Sequence, residues 1–466
     1  MPEYLSPGVY VEEVPSPIKP IAGVSTSTAA FVGVVPDSVD IPEENPNYDP
    51  SKQAGDDNKK FRTWPFPYPD DKYDAAKKAY EDLAQPGVKP PRPVGNKPED
   101  LKKFREAREE YALAARRKSV SDLADEGEPV LCTSFAEFKT HFGDFSTNPD
   151  QNKLVHGVYG FFNNEGTRCW VMRYKDMNGL KAPTALTPLE AIDEISMVVA
   201  PGIINEVVQA NIIDHCENLH DRVAILDAPA LEQGDLTENN IKVMSNTDYG
   251  AVYFPRIKVY DPVAALTDPK NEDGEIYVSP SGHIAGIYAR VDHTRGVHKA
   301  PANEPIHGAL PKGVEHLISK AVQDGLNPGG VNCIRDINGK ITVWGARTIG
   351  GDVNADLKYI STRRLLIFIE KSIDHGTQWV VFEPNDRALW AKIVRNVGAF
   401  LTNVWRDGAL FGSTPQEAFY VRCDDETNPF DERELGKVTT EIGVAIVRPA
   451  EFVIFRVQQW AGPAPQ

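Results

Sequence analysis

The sequence predicts a mixed α/β chain of more than one domain, with extended arms at both ends. Three observations carry that prediction. Compact apolar strands alternate with a helix between residues 168 and 226, at the spacing of a strand–helix–strand crossover, which implies parallel pairing. An amphipathic helix follows Pro384-Asn385-Asp386, and its apolar side is wide enough to face a core. Both chain ends carry alternating apolar segments, which are an edge hazard unless another subunit pairs with them.

Composition narrows the function classes. At 466 residues the chain can bury one large or two ordinary cores. A net charge of -17 argues against nonspecific nucleic-acid binding and against a polybasic membrane surface. No apolar run reaches the length of a membrane span, so no direct membrane insertion is expected. The N-terminus has no basic-then-apolar signal. The five cysteines are scattered and odd in number, as expected of buried thiols in a chain made in a reducing cytoplasm.

Taken in order, residues 1–28 are proline-rich and read as an N-terminal arm. Val9 and Val11 fall on one side of a short strand and Tyr10 on the other, while Pro15, Pro17 and Pro20 keep the chain extended. Residues 29–350 read as an α/β body, opening on a short buried strand at 29–35. Composition then shifts abruptly, and residues 37–127 read as a surface insertion. Within it, 42–69 is polar and proline-rich, a loop by its pattern. Residues 72–83 and 99–117 look helical, with Pro98 well placed at a helix start. Leu101, Phe104, Tyr111 and Ala115 form a narrow stripe broken by Arg108, which suits a helical hairpin on a surface and not a new core.

The body continues with a helix at 152–163 and strands at 168–174 and 195–200. A helix carrying Val208, Ile212, Cys216 and Leu219 follows, then a strand at 222–226. A strand is expected over 250–260 and helices over 282–291 and 313–323. Segments 331–337 and 340–344 flank Asn338-Gly339, a strong two-residue hairpin turn.

The run from Thr377 to Trp460 reads strand, helix, short strand and then two alternating strands. It divides into an inner domain at 351–440 and terminal strands with an arm at 441–466. Asp386 is the expected N-cap of the helix. Leu389, Trp390, Ile393, Val394, Val397, Phe400, Leu401 and Val404 form one half of it. Lys392, Arg395, Asn396, Asn403 and Arg406 form the other, a basic stripe with no acid in it. Strands are expected at 419–421, 441–447 and 451–459, the last with Val453, Phe455 and Val457 on one face.

No catalytic, metal or cofactor site is expected. The chain has no Walker-type loop, no dinucleotide glycine pattern and no nucleophile elbow. His283, His293, His298 and His307 cluster in sequence, but their spacing fits no zinc pattern. Asp424-Asp425-Glu426 has the acidity of a cation loop, and equally that of a solvated turn before Pro429.

Long stretches of the chain resemble contractile tail sheath proteins. They are residues 363–370, 376–385, Phe419 through Pro429, 441–445 and 448–452. Upstream, 7–13, 128–138, 279–286, 300–305 and 343–348 resemble them too. The resemblance implies a structural subunit, not an enzyme. It implies stacked hexameric rings, a homo-oligomeric helical sheath around an inner tube protein, with baseplate and terminal cap proteins as further partners. Contraction would then drive the tube through a target membrane without spending nucleotide. Arms of one subunit would add strands to its neighbours, through Val9, Tyr10, Val11, Val453, Phe455 and Val457. Asp424 and Glu426 would form an inter-subunit salt bridge. Lys392, Arg395 and Arg406 are the candidate tube-facing residues, since a charge-based contact can release on contraction. One chain carrying both arms departs from type VI secretion, where two chains build the sheath. It leaves phage tails, R-type bacteriocins and extracellular injection systems as the particle that would hold the protein. The competing readings are an α/β hydrolase-like enzyme with an unrecognised site, and a tail-tube or baseplate component.

Overall fold

The computed structural model describes residues 20–45, 60–85, 91–95, 97–119, 122–231, 236–241 and 245–454. These divide into two compact units. The larger takes 25–367 with 448–454, the smaller 20–24 with Phe368–Val447.

The larger unit is built on parallel strands. The chain enters on β1 (Ala29–Val34) and then forms the antiparallel pair β2 (Val39–Glu44) and β3 (Phe61–Phe66). Next come β4 (Val130–Cys132), β5 (Cys169–Tyr174), β6 (Met197–Val199), β7 (Val223–Asp227) and β8 (Gly250–Phe254). β9 (Ile257–Tyr260) pairs with β10 (Glu275–Val278), and β11 (Glu304–Pro305), β12 (Val331–Ile337) and β13 (Lys340–Val343) complete the unit. Nine of them make one sheet in the order β11-β13-β12-β8-β7-β6-β1-β5-β4. Its centre, from β12 through β5, is parallel, and its outer pairings are antiparallel.

Every residue of β1, β6, β7 and β8 is buried, so these strands read as continuous apolar runs and not as alternation. Alternate residues still go to opposite faces. Phe31, Val171, Val199 and Ile225 join one apolar cluster, while Ala30, Val32, Val198 and Ala224 join another. Helices Pro149–Asn163 and Ser281–Arg295 contribute to the first and helix Glu206–Leu219 to the second. The two helices of the first face lie very close together. A Cβ on Gly282 would sit 2.2 Å from the Gly157 carbonyl oxygen, so only glycine fits there. The hairpin between β12 and β13 turns on Asn338 (φ 54°) and Gly339 (φ 81°), the left-handed pair such a turn requires.

Several expectations change for identifiable reasons. The strand expected over 250–260 is two strands in two sheets, divided at Pro255, which has no N–H for a ladder. The helix expected over 313–323 begins only at Lys320, with Ser319 capping the Val322 N–H. Residues 313–315 instead pair with 256–258 through backbone bonds, a tertiary demand that outweighs local pattern. The loop expected over 42–69 holds the end of β2 and all of β3, which pair, and Val39, Ile41 and Phe66 of these strands form a small buried cluster. The insertion's helices, Asp70–Leu83 and Pro98–Ser119, pack through Tyr73, Tyr80, Phe104 and Tyr111. Of those four rings only Phe104 is buried, as a surface hairpin requires.

The smaller unit holds the end of helix Ile360–Thr377, the helix Arg387–Arg406, and the antiparallel pair β14 (Phe419–Arg422) and β15 (Glu441–Val444). Phe368 and Phe400 meet with ring centroids 6.0 Å apart. Residues 20–24 run beside the first helix: Ile21 is buried, and the Val24 N–H donates to Ser372 Oγ at 3.1 Å. No strand forms at 377–383. The helix carries on to Thr377 and ends in a single tight turn at Gln378–Val380. β15 stops at Val444, short of 447. Residues 451–454 are not in a strand, and 455–459 lie outside the described residues.

Candidate functional site

Helix Arg387–Arg406 sets the first candidate surface. The Asp386 carboxylate accepts the Leu389 N–H at 2.8 Å, the expected N-cap. Leu389, Trp390, Ile393, Val397, Phe400, Leu401 and Val404 are buried. Lys392, Arg395 and Arg406 are exposed. At about 100° per residue they fall within an arc of about 60°. Only Ala388 and Ala399 share that arc, so the stripe is one basic face without a carboxylate. Asn396 departs from the polar half assigned to it: it is buried, because the turn places it beside Leu389 and Phe400.

The second surface is the β14–β15 pair. Among the described residues it has two strands only, and no residue of either is buried. Its connecting loop is nevertheless well held. The Asn428 side chain donates to the Thr439 carbonyl at 2.9 Å and accepts the Thr439 N–H at 2.7 Å. Asp424 accepts from Arg422 Nε at 2.9 Å and from the Glu426 and Thr427 N–H groups. The Arg422 bond, then the Thr427 N–H, holds the Asp424 carboxyl below the ordinary range. Arg422 also pairs with Glu426, and Arg387 with Asp425 at 2.7 Å. Within the chain, this acidic run is therefore a set of turn caps and ion pairs. Asn428 was not singled out from sequence, although it stands inside one of the sheath-like stretches.

Exposed apolar side chains gather in this smaller unit: Phe382, Phe411, Tyr420, Phe430 and Leu435. Phe382 is fully exposed and has a positive φ of 67°, which a bulky residue adopts only under constraint. Of the expected arm residues, Val453 is exposed. Val9, Tyr10, Val11, Phe455 and Val457 lie outside the described residues.

The larger unit does not offer a catalytic constellation among its described residues. A cleft of about 430 Å³ opens beside the carboxyl ends of β7 and β8, where α/β enzymes bind ligands. Its ionic groups are already paired: Lys153 with Asp150 at 2.8 Å, His156 with Asp261 at 3.0 Å, and Arg256 with Glu315 at 2.8 Å. Ser281 is buried and donates to Asp227 at 2.6 Å, and Asp227 also takes the Gly202 N–H at 2.9 Å. Burial lifts the Asp227 carboxyl to about 6, against those bonds. Of the histidine cluster, His283 is buried and its pKa falls to about 3, from burial and then the nearby His156. His307 packs against Arg290. Among the described residues no three His, Cys, Asp or Glu side chains are grouped as metal ligands.

Comparison with known proteins decides between the readings. Residues 178–349 match the phage tail sheath protein central domain, and 352–459 match the phage tail sheath C-terminal domain, together more than half of the chain. The chain belongs to the phage tail sheath family. That family is structural, so the enzyme reading falls. The tail sheath protein of Burkholderia phage BcepMu is 25% identical over 250 residues, which is 51% of this chain and 49% of that protein. The tail sheath protein of Vibrio phage KVP40 is 26% identical over 40% of this chain and 26% of its own length. The match thus spans about half of one curated relative and a quarter of the other. Among solved structures, the sheath complex of the extracellular contractile injection system PVC, contracted, has a TM-score of 0.65 at 22% identity. It covers 99% of both chains. The helical sheath of the anti-feeding prophage, also contracted, gives 0.64 at 23% identity, covering 97% of this chain and 99% of its own. These likenesses in fold cover nearly the whole chain.

Proposed function

We propose that this chain is the repeating subunit of a contractile sheath in a phage tail or extracellular injection particle. Copies of it stack as hexameric rings around an inner tube and contract to drive that tube through a target membrane. The observation that carries the reading is the β14–β15 pair. It is a two-stranded sheet with no buried residue, in a sheath-family chain whose two ends carry apolar alternation in sequence. Strand addition by Val9–Val11 of one neighbour and by Val453, Phe455 and Val457 of another supplies what the pair lacks. Backbone pairing of this kind does not depend on how the bodies pack, so linkage survives while body contacts change. Residues 29–350 then form the outer body, 351–440 the inner domain, and 1–28 and 441–466 the linking segments. The exposed Phe382, Phe411, Tyr420, Phe430 and Leu435 are covered by neighbouring copies. The chain is made in the bacterial cytoplasm and meets baseplate and cap proteins at the sheath ends.

Negative-stain electron microscopy of the purified chain tests this directly. Short, wide, hollow cylinders are expected. Monodisperse single subunits, alone and with an inner tube present, would overturn it.

The basic stripe is the proposed tube-facing surface, holding the tube by long-range charge that contraction can break. Reversal at Lys392→Glu, Arg395→Glu and Arg406→Glu is expected to leave empty contracted cylinders and abolish tube-loaded ones. Normal loading of the tube would remove the stripe from the mechanism.

A further inference from the structure

Two sheath-like stretches, 343–348 and 448–452, meet in the larger unit. Arg347 comes from the first and Glu451 from the second, 104 residues apart. Arg347 is only 3% exposed. Its Nε donates to Glu451 Oε1 at 2.8 Å and its Nη2 to Oε2 at 2.9 Å, a bidentate fork. Asn327 Nδ2 donates to Oε1 at 2.7 Å and Tyr359 OH to Oε2 at 2.8 Å. One carboxylate therefore takes four donors from three separate parts of the fold. Burial alone would raise the Glu451 pKa, but the bonds from Arg347, Asn327 and Tyr359 outweigh it and hold the group below its ordinary value.

The receptor is organised without Glu451. Arg347 Nη1 also donates to Asp352 at 3.0 Å and to the Asn327 carbonyl at 2.9 Å. The Arg347 backbone N–H is fixed on Asn332 Oδ1 at 2.7 Å.

The segment that brings the carboxylate has little else to hold it. Residues 448–454 contain no helix or strand. Phe452, Val453 and Ile454 are all exposed, so apolar burial does not fasten them. Arg448 makes an exposed pair with Asp356 at 3.3 Å, a weak contact by its surroundings.

We propose that Arg347, Asn327 and Tyr359 are a built receptor for the Glu451 carboxylate, anchoring the C-terminal segment on the sheet-bearing unit and fixing where the chain leaves it toward a neighbouring copy. This rests on the arm-exchange reading above. The anchor stiffens the root of the arm, so a pull on the arm is delivered to the sheet and not lost in slack chain. Glu451 is in this sense a positioning residue. A planar fork and a side chain of glutamate length are both required, so Lys at 347 and Asp at 451 are poor substitutes.

Electron paramagnetic resonance of the freshly purified full chain carrying a nitroxide on Ile454→Cys, followed by microscopy of the same preparations, tests it. The five native cysteines are buried, so the label goes to residue 454. In Glu451→Gln the rotational correlation time of the label is expected to shorten by at least about twofold, as release of a tethered segment implies. Tyr359→Phe should give a smaller change of the same sign. Arg347 stays paired with Asp352 in both variants, so the fold is kept. Microscopy should then find few or short sheaths for Glu451→Gln, and none for a chain ending at residue 454. Unchanged label mobility in Glu451→Gln would overturn the anchor. A more mobile label with normal sheaths, while the shortened chain makes none, would overturn its role in assembly and leave the arm reading standing. Normal sheaths from the shortened chain would overturn the arm reading itself, and with it the purpose assigned to the anchor.

Discussion

The two units of this chain solve opposite problems. The larger buries a nine-stranded sheet on both faces, with every residue of β1, β6, β7 and β8 inaccessible. At about 1.5–3 kcal/mol per fully buried large apolar side chain, its two clusters supply ample stabilisation without a partner. The smaller unit has one strongly amphipathic helix, a strand pair with nothing buried, and Phe382, Phe411, Tyr420, Phe430 and Leu435 in solvent. Apolar surface of that kind, beside a short open sheet, is the mark of a module finished by association. Under the proposed assembly, stability and subunit contacts fall to different residues, so mutation should separate them.

The largest effect tests the self-sufficiency of the sheet unit. Phe31 is fully buried and meets Phe161 edge-on at 5.4 Å. Phe31→Ala is expected to cost about 3–5 kcal/mol of unfolding free energy, read by urea denaturation of the unassembled chain. A cost near zero would mean that this core does not hold the unit together.

The next effect sharpens the contrast between buried and exposed carboxylates. The folded-state pKa of Asp227, about 6, lies above the unfolded value of 3.8. The folded state therefore holds this proton more tightly. The stabilisation is full below the unfolded pKa and is lost as pH rises through about 6. The loss is on the order of 3 kcal/mol between pH 4 and 7. His215 and His283, with pKa values lowered to about 4 and about 3, act in the opposite direction, so the variant must be compared with the parent at each pH. Asp227→Asn is expected to gain on the parent chain across that range, measured as the difference in melting temperature. A constant difference would contradict the burial. Asp424, half-buried in the smaller unit and paired with Arg422, should instead respond to salt.

What the sequence made legible follows the same division. Strands β1, β5, β6, β7 and β12 and the helices between them were readable because continuous apolar runs and helical spacing leave few alternatives. The Asn338-Gly339 turn and the Asp386 cap were readable because each needs a particular residue type. Residues 313–315 were not, since their backbone bonds go to residues 256–258, far earlier in the chain, and local pattern cannot see that. Residues 377–383 failed for the converse reason: an apolar, β-branched run with no strand beside it finishes a helix. At the candidate site, the basic stripe was fixed by helical geometry alone. The loop lock through Asn428 and the Glu451 receptor were hidden, because each joins residues that only the fold brings together.

The smallest expected change in stability is at Phe382, and it bears most directly on the comparison. The residue is fully exposed, so its ring contributes nothing to the interior, and its φ of 67° strains any bulky side chain. Asparagine tolerates that backbone far better. Phe382→Asn should therefore leave the unfolding free energy within about 0.5 kcal/mol of the parent, or raise it slightly. Sheath formation should fall, because the covering copy loses an apolar contact. Both measurements are needed together. Lost stability would make Phe382 part of the fold of its own unit, contrary to its exposure. Unchanged stability with unchanged sheaths would remove it from the surface that neighbours cover, and would weaken the claim that exposed apolar residues in the smaller unit are there for assembly.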